Sequence, residues 1–225
     1  MSKIITLRKG LDINLQGKAE LSLYEAKAAA DYALSPLDFE GVTPKLLVKV
    51  GDEVKAGDAL FFNKYNDRVL FTSPVSGTVS AVNRGEKRRV LNVTITPDRE
   101  QQYKEFAMLD LQKATREEVV EMLLQSGLWP LLIQRPYGVI ANPELKPKAI
   151  FVSAFSTAPL AASPEYALRE DLEHIQTAVK ALTKLTDGGV HVSVNSASSA
   201  FAKLEGATIH TFEGKHPAGN VGVQI

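Results

Sequence analysis

Two Gly-Asp dipeptides constrain the fold of this chain more than any other feature of its sequence. They lie at positions 51–52 and 57–58, and alternating apolar residues precede the first of them. A Ser-Pro-Val-Ser-Gly turn follows at 73–77, and a basic turn follows at 84–89. Short strands separated by turns at this spacing are typical of a small closed or sandwiched β unit. We therefore predict a β-rich domain over residues 42–100.

The same segment has the turn pattern of a biotinyl/lipoyl-type barrel sandwich, in which Gly-Asp dipeptides form the tight turns of two quasi-symmetric halves. Counting back from Pro74, as in carrier domains of this type, places the modifiable position at Asn66. Lys64 and Arg68 lie on either side of it. We expect an unmodified structural module with no covalently bound cofactor. A carrier domain is the alternative, and a mass increment on the purified chain would favour it.

The second half of the chain predicts a different architecture. A continuous apolar run at 149–155 is typical of a buried parallel strand. An amphipathic helical stripe follows at 163–185, and two further strands follow at 190–194 and 207–212. This β-α-β-α-β order predicts a parallel sheet with right-handed crossovers. The loop after the first strand has neither a G-x-G-x-x-G pattern nor a P-loop, so we expect a Rossmann-like α/β unit without classical nucleotide binding.

Three shorter segments have local patterns that predict their secondary structure. Thr115 and Glu118 form a capping box that begins a helix over 115–127. An alanine-rich stretch at 23–33 predicts a further helical patch. The apolar run 221–225 is strand-like. We expect either a chain that is truncated within its α/β unit or a tail that docks into its own sheet.

The predicted organisation has four parts. They are an N-terminal segment packing on the core (1–41), the β sandwich (42–100), a helical connector with an apolar loop (101–147) and the Rossmann-like unit (148–225).

Composition excludes several classes of function. In these 225 residues, 26 Lys and Arg balance 26 Asp and Glu, so no net basic field favours a nucleic-acid partner. The chain has no cysteine, which excludes disulfides, thiolate metal sites and a cysteine nucleophile. No apolar window is long enough to span a bilayer, and residues 1–10 are too polar for a signal peptide. We expect no transmembrane segment.

The histidines and the basic cluster give few strong candidates for a functional site. The four histidines lack the spacing of a metal site. His174 and His191 are predicted to be structural, whereas His216 lies in a loop, where functional residues are more common. The four basic residues at 84–89 are typical of a solvated turn, with a docking patch for an acidic protein or for lipid headgroups as the alternative.

Three stretches together resemble one known family. They are Lys9–Asp12, the β segment with its basic turn, and residues 126–138 (SGLWPLLIQRPYG) with the later motifs LTDG and GKHPAGNVG. In this order they resemble the N-terminal half of the A subunits of the bacterial sodium-translocating NADH:quinone oxidoreductases (Nqr), along essentially the whole chain. Members of that family continue beyond this point, which agrees with the expectation of a truncated chain.

The resemblance has implications for cofactors. The family is related to the NADH- and flavin-binding subunits of complex I and to the C subunit of the Rnf complex, which carry a glycine-rich flavin loop. Residues 127–137 correspond to that loop, and bulky side chains and Pro130 replace its glycines. The resemblance therefore implies no FMN or NADH on this chain. The apolar groove that remains suits the flat ring and carbonyl acceptors of a quinone.

The implied function is that of a peripheral subunit, without its own redox cofactor, of a membrane-bound sodium-pumping NADH:quinone oxidoreductase. Its location would be the cytoplasmic face of the bacterial inner membrane. It would supply docking surface to the other Nqr subunits, with part of a quinone site as a further role. The candidate quinone contacts are Trp129, Arg135, Tyr137, Phe39 and His216, with Trp129 alternatively a core anchor that links the helix 115–127 to the sheet. No residue is assigned a catalytic or metal-binding role.

Two alternatives stay open from the sequence. One is an NADH- and flavin-binding electron-input component of an Rnf-type complex. The other is an unmodified carrier-like structural module.

Overall fold

The chain divides into two compact units. The computed structural model describes residues 4–17 and 20–225. Residues 26–145 form a β-rich unit, and residues 146–225 form an α/β unit together with the N-terminal residues up to 25. The predicted segment 1–41 therefore contributes to both units. The domain boundaries expected from the sequence stay predictions.

The part of the chain that the structure describes contains thirteen strands. They are β1 (Ile4–Leu7), β2 (Tyr32–Leu34), β3 (Pro44–Leu46), β4 (Glu53–Val54), β5 (Ala59–Asn63), β6 (Asn66–Thr72), β7 (Gly77–Arg84), β8 (Val90–Pro97), β9 (Ile133–Gln134), β10 (Val139–Ile140), β11 (Ile150–Ser153), β12 (Val190–Val194) and β13 (Ala207–Gly214). The α-helices are α1 (Arg116–Gln125), α2 (Pro164–Ala167), α3 (Leu172–Thr183) and α4 (Val221–Gln224). Short 3₁₀ helices span Pro36–Asp38, Glu86–Arg88, Trp129–Leu131 and Ala200–Lys203.

The β-rich unit contains two main antiparallel sheets, as the turn pattern predicts, and a third sheet of two strands, β9 and β10. One main sheet has the strand order β2-β8-β7-β4, and the other has the order β3-β5-β6. Apolar residues alternate with exposed ones along the strands, so one face of each sheet is buried. Phe61 and Phe71 stack at the centre of the core with their ring centroids 4.7 Å apart. Both rings are almost completely buried.

The two Gly-Asp turns have the same geometry. In each, a lysine N–H donates to the aspartate side chain three residues later, over 3.0 Å at Asp52 and 2.8 Å at Asp58. The aspartate N–H donates back to the lysine carbonyl. Gly51 and Gly57 take φ values of 94° and 96°, which the third position of a type II turn requires. The repeat in sequence is thus a repeat in structure.

The hairpin that would carry a prosthetic group joins β5 to β6 through a two-residue turn, Lys64 and Tyr65. Asn66 is the first residue of β6. The lysine Nζ lies 5.9 Å from the centroid of the Tyr65 ring. The structure therefore places Lys64, rather than Asn66, at the tip of the hairpin. The absence of a covalent cofactor stays a prediction.

Helix α1 begins and ends where the sequence predicts. The Glu118 N–H donates to Thr115 Oγ1 over 3.2 Å, and the Thr115 N–H donates to the Glu118 carboxylate over 2.8 Å. The Glu118 carboxylate accepts from the Thr115 N–H and also from the Thr115 hydroxyl over 3.0 Å, and these two bonds hold the pKa of Glu118 below its usual range. The buried residues Val119, Val120 and Leu124 form its apolar face. Gly127 follows the helix with φ 72°.

The α/β unit contains the predicted parallel sheet, with the order β1-β13-β12-β11. The valines of β12 face α3 and form a core with Val179 and Phe201. β1 pairs in parallel with β13 at the sheet edge, with Ile4 opposite Thr211. This N-terminal strand was not predicted, because a four-residue strand far from its partner in sequence has little local signal.

Three local predictions are wrong. The alanine-rich stretch 23–33 is not a helix: residues 23–30 have no regular structure, because Leu23 and Tyr24 stay exposed and no packed apolar face stabilises a helix there, and β2 begins at Tyr32. The stripe over 163–185 is two helices, since the chain leaves helical geometry at Leu168, which is 41% exposed. The strand-like run at the C-terminus is helix α4, because Asn220 begins a turn whose residue Gln224 is buried.

We expect Gly127→Ala to destabilise the β-rich unit by about 2–4 kcal/mol. Gly127 has a positive φ, and an added Cβ would lie 2.3 Å from Oγ1 of Thr72. Chemical denaturation followed by the fluorescence of Trp129 measures the change. Gly138→Ala is the matched control, because Gly138 has the same φ but nothing within 4 Å of an added Cβ. The free energy of unfolding of this control should fall by only about 1 kcal/mol. Equal falls in the two variants would contradict the role of the Thr72 contact.

Candidate functional site

The candidate quinone segment begins with a buried tryptophan. Trp129 opens a 3₁₀ helix that packs between β6 and α1. Its side chain is only 3% exposed. The indole Nε1–H donates to the carbonyl oxygen of Ala141 over 2.7 Å. Trp129 therefore anchors both ends of the segment 129–141 to the β-rich unit, and its polar group is already satisfied.

The other two candidates lie on an exposed turn. Strands β9 and β10 pair with Gln134 opposite Val139, and residues 135–138 connect them. Arg135 is exposed, and Tyr137 is 73% exposed. Leu131 and Ile133, at 68% and 48% exposure, add apolar surface to the same short segment. A planar ring and an exposed guanidinium thus lie beside solvent-exposed aliphatic side chains.

Phe39 lies in the same unit but in a different setting. Its ring packs edge-to-face on Phe71 of the core, with centroids 4.7 Å apart. The loop that follows passes beside β10, because a Cβ placed on Gly41 would lie 4.0 Å from Cγ1 of Val139. Most of the Phe39 ring is therefore used in packing on the core.

His216 belongs to the α/β unit, at the carboxyl edge of the parallel sheet. Its N–H donates to the carboxylate of Asp12 over 2.9 Å, and its carbonyl accepts from Leu11 N–H. The KGLD and HPAG motifs, about two hundred residues apart, therefore meet in space. His216 Nδ1 also lies 3.2 Å from Oγ1 of Thr157, which accepts from Gly219 N–H.

Thr157 is a residue that sequence reasoning misses. The signal available for it was its position just after a buried parallel strand, where open α/β sheets bind ligands. Gly219 approaches the same loop so closely that a Cβ would lie 2.4 Å from the Thr157 nitrogen. The site candidates therefore fall into two groups, Trp129, Arg135, Tyr137 and Phe39 in the β-rich unit and His216 in the α/β unit.

Two histidines form a ring ladder across the parallel sheet. Phe151 stacks on His191 with centroids 4.9 Å apart, and His191 stacks on His210 at 5.1 Å. Nδ1 of His191 and Nε2 of His210 lie 2.9 Å apart, so one ring N–H donates a hydrogen bond that the other ring nitrogen accepts. Burial lowers the pKa of His210, and the charge of His191 lowers it further.

Neither a metal site nor a membrane span is found among the residues that the structure describes. Within residues 4–17 and 20–225, no group of three or more His, Asp or Glu side chains could hold a metal ion. No helix in the described part of the chain is long and apolar enough to cross a bilayer.

Two family models match the chain, one for each half. The NqrA N-terminal barrel-sandwich hybrid domain matches residues 5–98, and the NqrA second alpha/beta domain matches residues 114–225. The chain belongs to the NqrA family. The barrel-sandwich fold and the α/β fold expected from the sequence are thereby confirmed, as is the resemblance.

Individual relatives extend the match across the junction between the NqrA domains. Proteins named as the A subunit of Na(+)-translocating NADH-quinone reductase in Yersinia pseudotuberculosis and Tolumonas auensis are each 39% identical to this chain over 99% of its length. The protein of that name from Saccharophagus degradans is 37% identical. The chain spans about half the length of these curated relatives, since each match covers 50% of the relative. Neither alternative function raised from the sequence is favoured by these matches.

We expect the stability that His210 confers to decrease as the pH falls below about 6.5, the value of an unperturbed histidine. The unfolded chain binds a proton at higher pH than the folded chain does, so protonation favours unfolding. Calorimetric unfolding of wild type and His210→Asn, at pH values above and below this point, measures the effect.

The stability advantage of wild type over His210→Asn should shrink as the pH falls. His191→Asn is the matched variant, because it removes the charge effect and leaves the burial of His210. Its stability should depend less steeply on pH than that of wild type. Parallel pH profiles for all three proteins would contradict the shifted pKa.

Proposed function

We propose that this chain works as part of the A subunit of a sodium-translocating NADH:quinone reductase. The observation that carries the proposal is the consecutive match of two NqrA domains, with 39% identity to a protein named as that subunit over 99% of the chain. The proposed location is peripheral, on the cytoplasmic face of the bacterial inner membrane. The proposed partners are the other subunits of the complex.

The chain is proposed to carry no redox cofactor of its own. A flavin or dinucleotide phosphate needs converging backbone N–H groups and a helix N-terminus. Residues 127–137 instead hold a buried Trp129, a proline beside it and an exposed turn. The segment supports binding of a flat apolar molecule better than binding of a phosphate.

The proposed quinone contact is the turn that carries Arg135 and Tyr137. The Arg135 guanidinium can donate to a quinone carbonyl, and the Tyr137 ring can stack on the quinone ring. Leu131 and Ile133 add exposed apolar surface. Trp129 lies at the base of this hairpin as its anchor. Phe39 and His216 stay candidate contacts.

Disruption of the gene in the source bacterium tests the assignment to the complex. We expect sodium-stimulated NADH:quinone reductase activity of the membranes to be lost and to return with the intact gene, but not with an empty vector. A tagged chain should co-purify with the other subunits in mild detergent. A salt or chaotrope wash should release a peripheral chain from inverted membrane vesicles. Full activity in the disrupted strain would contradict the assignment.

Quinone binding is tested by fluorescence, because Trp129 is the single tryptophan. A short-chain quinone should quench this fluorescence saturably. Arg135→Ala should weaken quinone binding about tenfold, which corresponds to the lower end of the free-energy range for a hydrogen bond to a charged group. The lower end applies because the guanidinium is exposed to solvent.

Arg99→Ala is the control for the quinone titration, since it removes an exposed arginine elsewhere in the same unit. It should leave the affinity unchanged. Quenching that stays linear in quinone concentration, or equal affinities for both variants, would leave Trp129 and its hairpin as scaffold. A titration with FMN that showed tight binding would instead favour an electron-input role.

A further inference from the structure

The longest hairpin of the β-rich unit ends in a cluster of cations. Strands β7 and β8 each contain eight residues, and their last pair is Arg84 with Val90. Between them the chain reads Gly-Glu-Lys-Arg-Arg. We define the basic tip as the exposed side chains Arg84, Lys87, Arg88 and Arg89. With Glu86 as the single acid it carries a net charge of +3 (four cations less one anion), in a chain whose formal net charge is zero.

The cations of the basic tip have no carboxylate partner among the described residues. Among the residues that the structure describes, none of the four cations forms an ion pair with a carboxylate. Arg84 directs one guanidinium nitrogen to the carbonyl of Arg88 over 3.0 Å. The other three side chains make no hydrogen bond through their cationic groups in the described structure. They are thus available to an external anion.

The tip is held in a defined shape. The Gly85 N–H donates to the Arg89 carbonyl over 2.8 Å, and the Arg89 N–H donates to the Glu86 carbonyl over 3.1 Å. Lys87 and Arg88 take φ values of 53° and 60°, a left-handed geometry that is uncommon for residues other than glycine. Both side chains are exposed, and such unusual backbone geometry concentrates at functional positions.

We propose that the basic tip binds the anionic surface of a lipid bilayer. The surface of a bilayer rich in anionic lipids attracts clusters of Lys and Arg. Arginine, which provides three of the four cations, matches the oxygens of a phosphate with paired donors. The proposal goes beyond the proposed function, because it gives this chain its own contact with the membrane, independent of the other subunits.

Shape and composition favour a bilayer over an acidic protein. Specific protein interfaces have an apolar or aromatic core from which water is excluded. Residues 83–89 include no apolar side chain, and Val90, the next residue, is buried. A turn at the end of a hairpin is also convex, whereas a mobile layer of headgroups adapts to any shape. The basic tip is therefore better suited to contact many lipid phosphates at a bilayer surface than to bind one specific acidic protein surface.

Vesicle co-sedimentation tests the proposal. The probes are vesicles of phosphatidylcholine alone and of phosphatidylcholine with one-third phosphatidylglycerol, at low ionic strength. The wild-type chain should bind only the anionic vesicles. Binding should be lost at about 1 M salt, where the screening length falls to about 3 Å.

The test variant is Lys87→Asn with Arg88→Asn. Asparagine tolerates left-handed backbone geometry, so the turn keeps its shape while two charges are removed. Each basic residue near an anionic surface raises the affinity about fivefold. The double variant should therefore bind the anionic vesicles about twenty-five-fold more weakly than wild type.

The matched control is Lys49→Asn with Lys55→Asn, which removes the same charge at the other end of β7. These two exposed lysines flank β4, which pairs with Gly77 and Thr78, about 23 Å from the tip. The control should change the affinity less than about twofold. Equal weakening by both double variants would overturn the proposal.

Two other outcomes would also overturn it. One is no binding to the anionic vesicles, which together with binding to an acidic polypeptide such as polyglutamate would favour an acidic protein partner. The other is equal binding to neutral vesicles. Loss of the complex in the gene-disruption experiment does not alter these results, because the vesicle assay uses the chain alone.

Discussion

Just after helix α1, the chain approaches strand β6 so closely at Gly127 that only glycine fits. The position of the candidate quinone segment, which follows Gly127, depends on this contact. A side chain at Gly127 would overlap Thr72 of the strand. The 3₁₀ helix of Trp129 follows directly and packs on the same strand. Arg68, four residues earlier in β6, pairs with Glu121 of α1 over 3.1 Å. Both groups are about half-exposed, so this ion pair adds less than the close backbone approach does.

The β-rich unit thus uses one strand for two purposes. One face of β6 places Val69 and Phe71 in the core between the sheets. Its edge and its last residue receive α1 and the Trp129 segment. The 3₁₀ helix of Trp129 packs on this strand, and the indole N–H bonds Ala141 after β10, so the hairpin that carries Arg135 is tied to the β-rich core at its base.

In the α/β unit, the corresponding constraint is a contact between residues near the start of the chain and residues near its end. Asp12 accepts a hydrogen bond from the His216 backbone, and β1 pairs with β13. An added Cβ on Gly10 would lie 2.5 Å from the His216 carbonyl oxygen, so this contact also needs glycine. The glycines of the KGLD and HPAG motifs are therefore explained by close backbone approach, with no ligand required. His216 remains the member of this cluster with a titratable ring, and that ring contacts Thr157.

The sequence by itself determined the elements whose signals are local. The Gly-Asp turns, the capping box of Thr115 and Glu118, and the alternating valines of β12 follow from backbone geometry and from side-chain period, and each forms as predicted. Only the tertiary structure decided the rest, because long-range pairing outweighs local preference. It turned residues 32–34 into a strand that pairs with β8, and it placed β1 beside β13. The burial of Trp129 agrees with its interpretation as a core anchor, but only the tertiary structure decided that Arg135 and Tyr137 stay exposed, because burial depends on which distant strand packs against a segment.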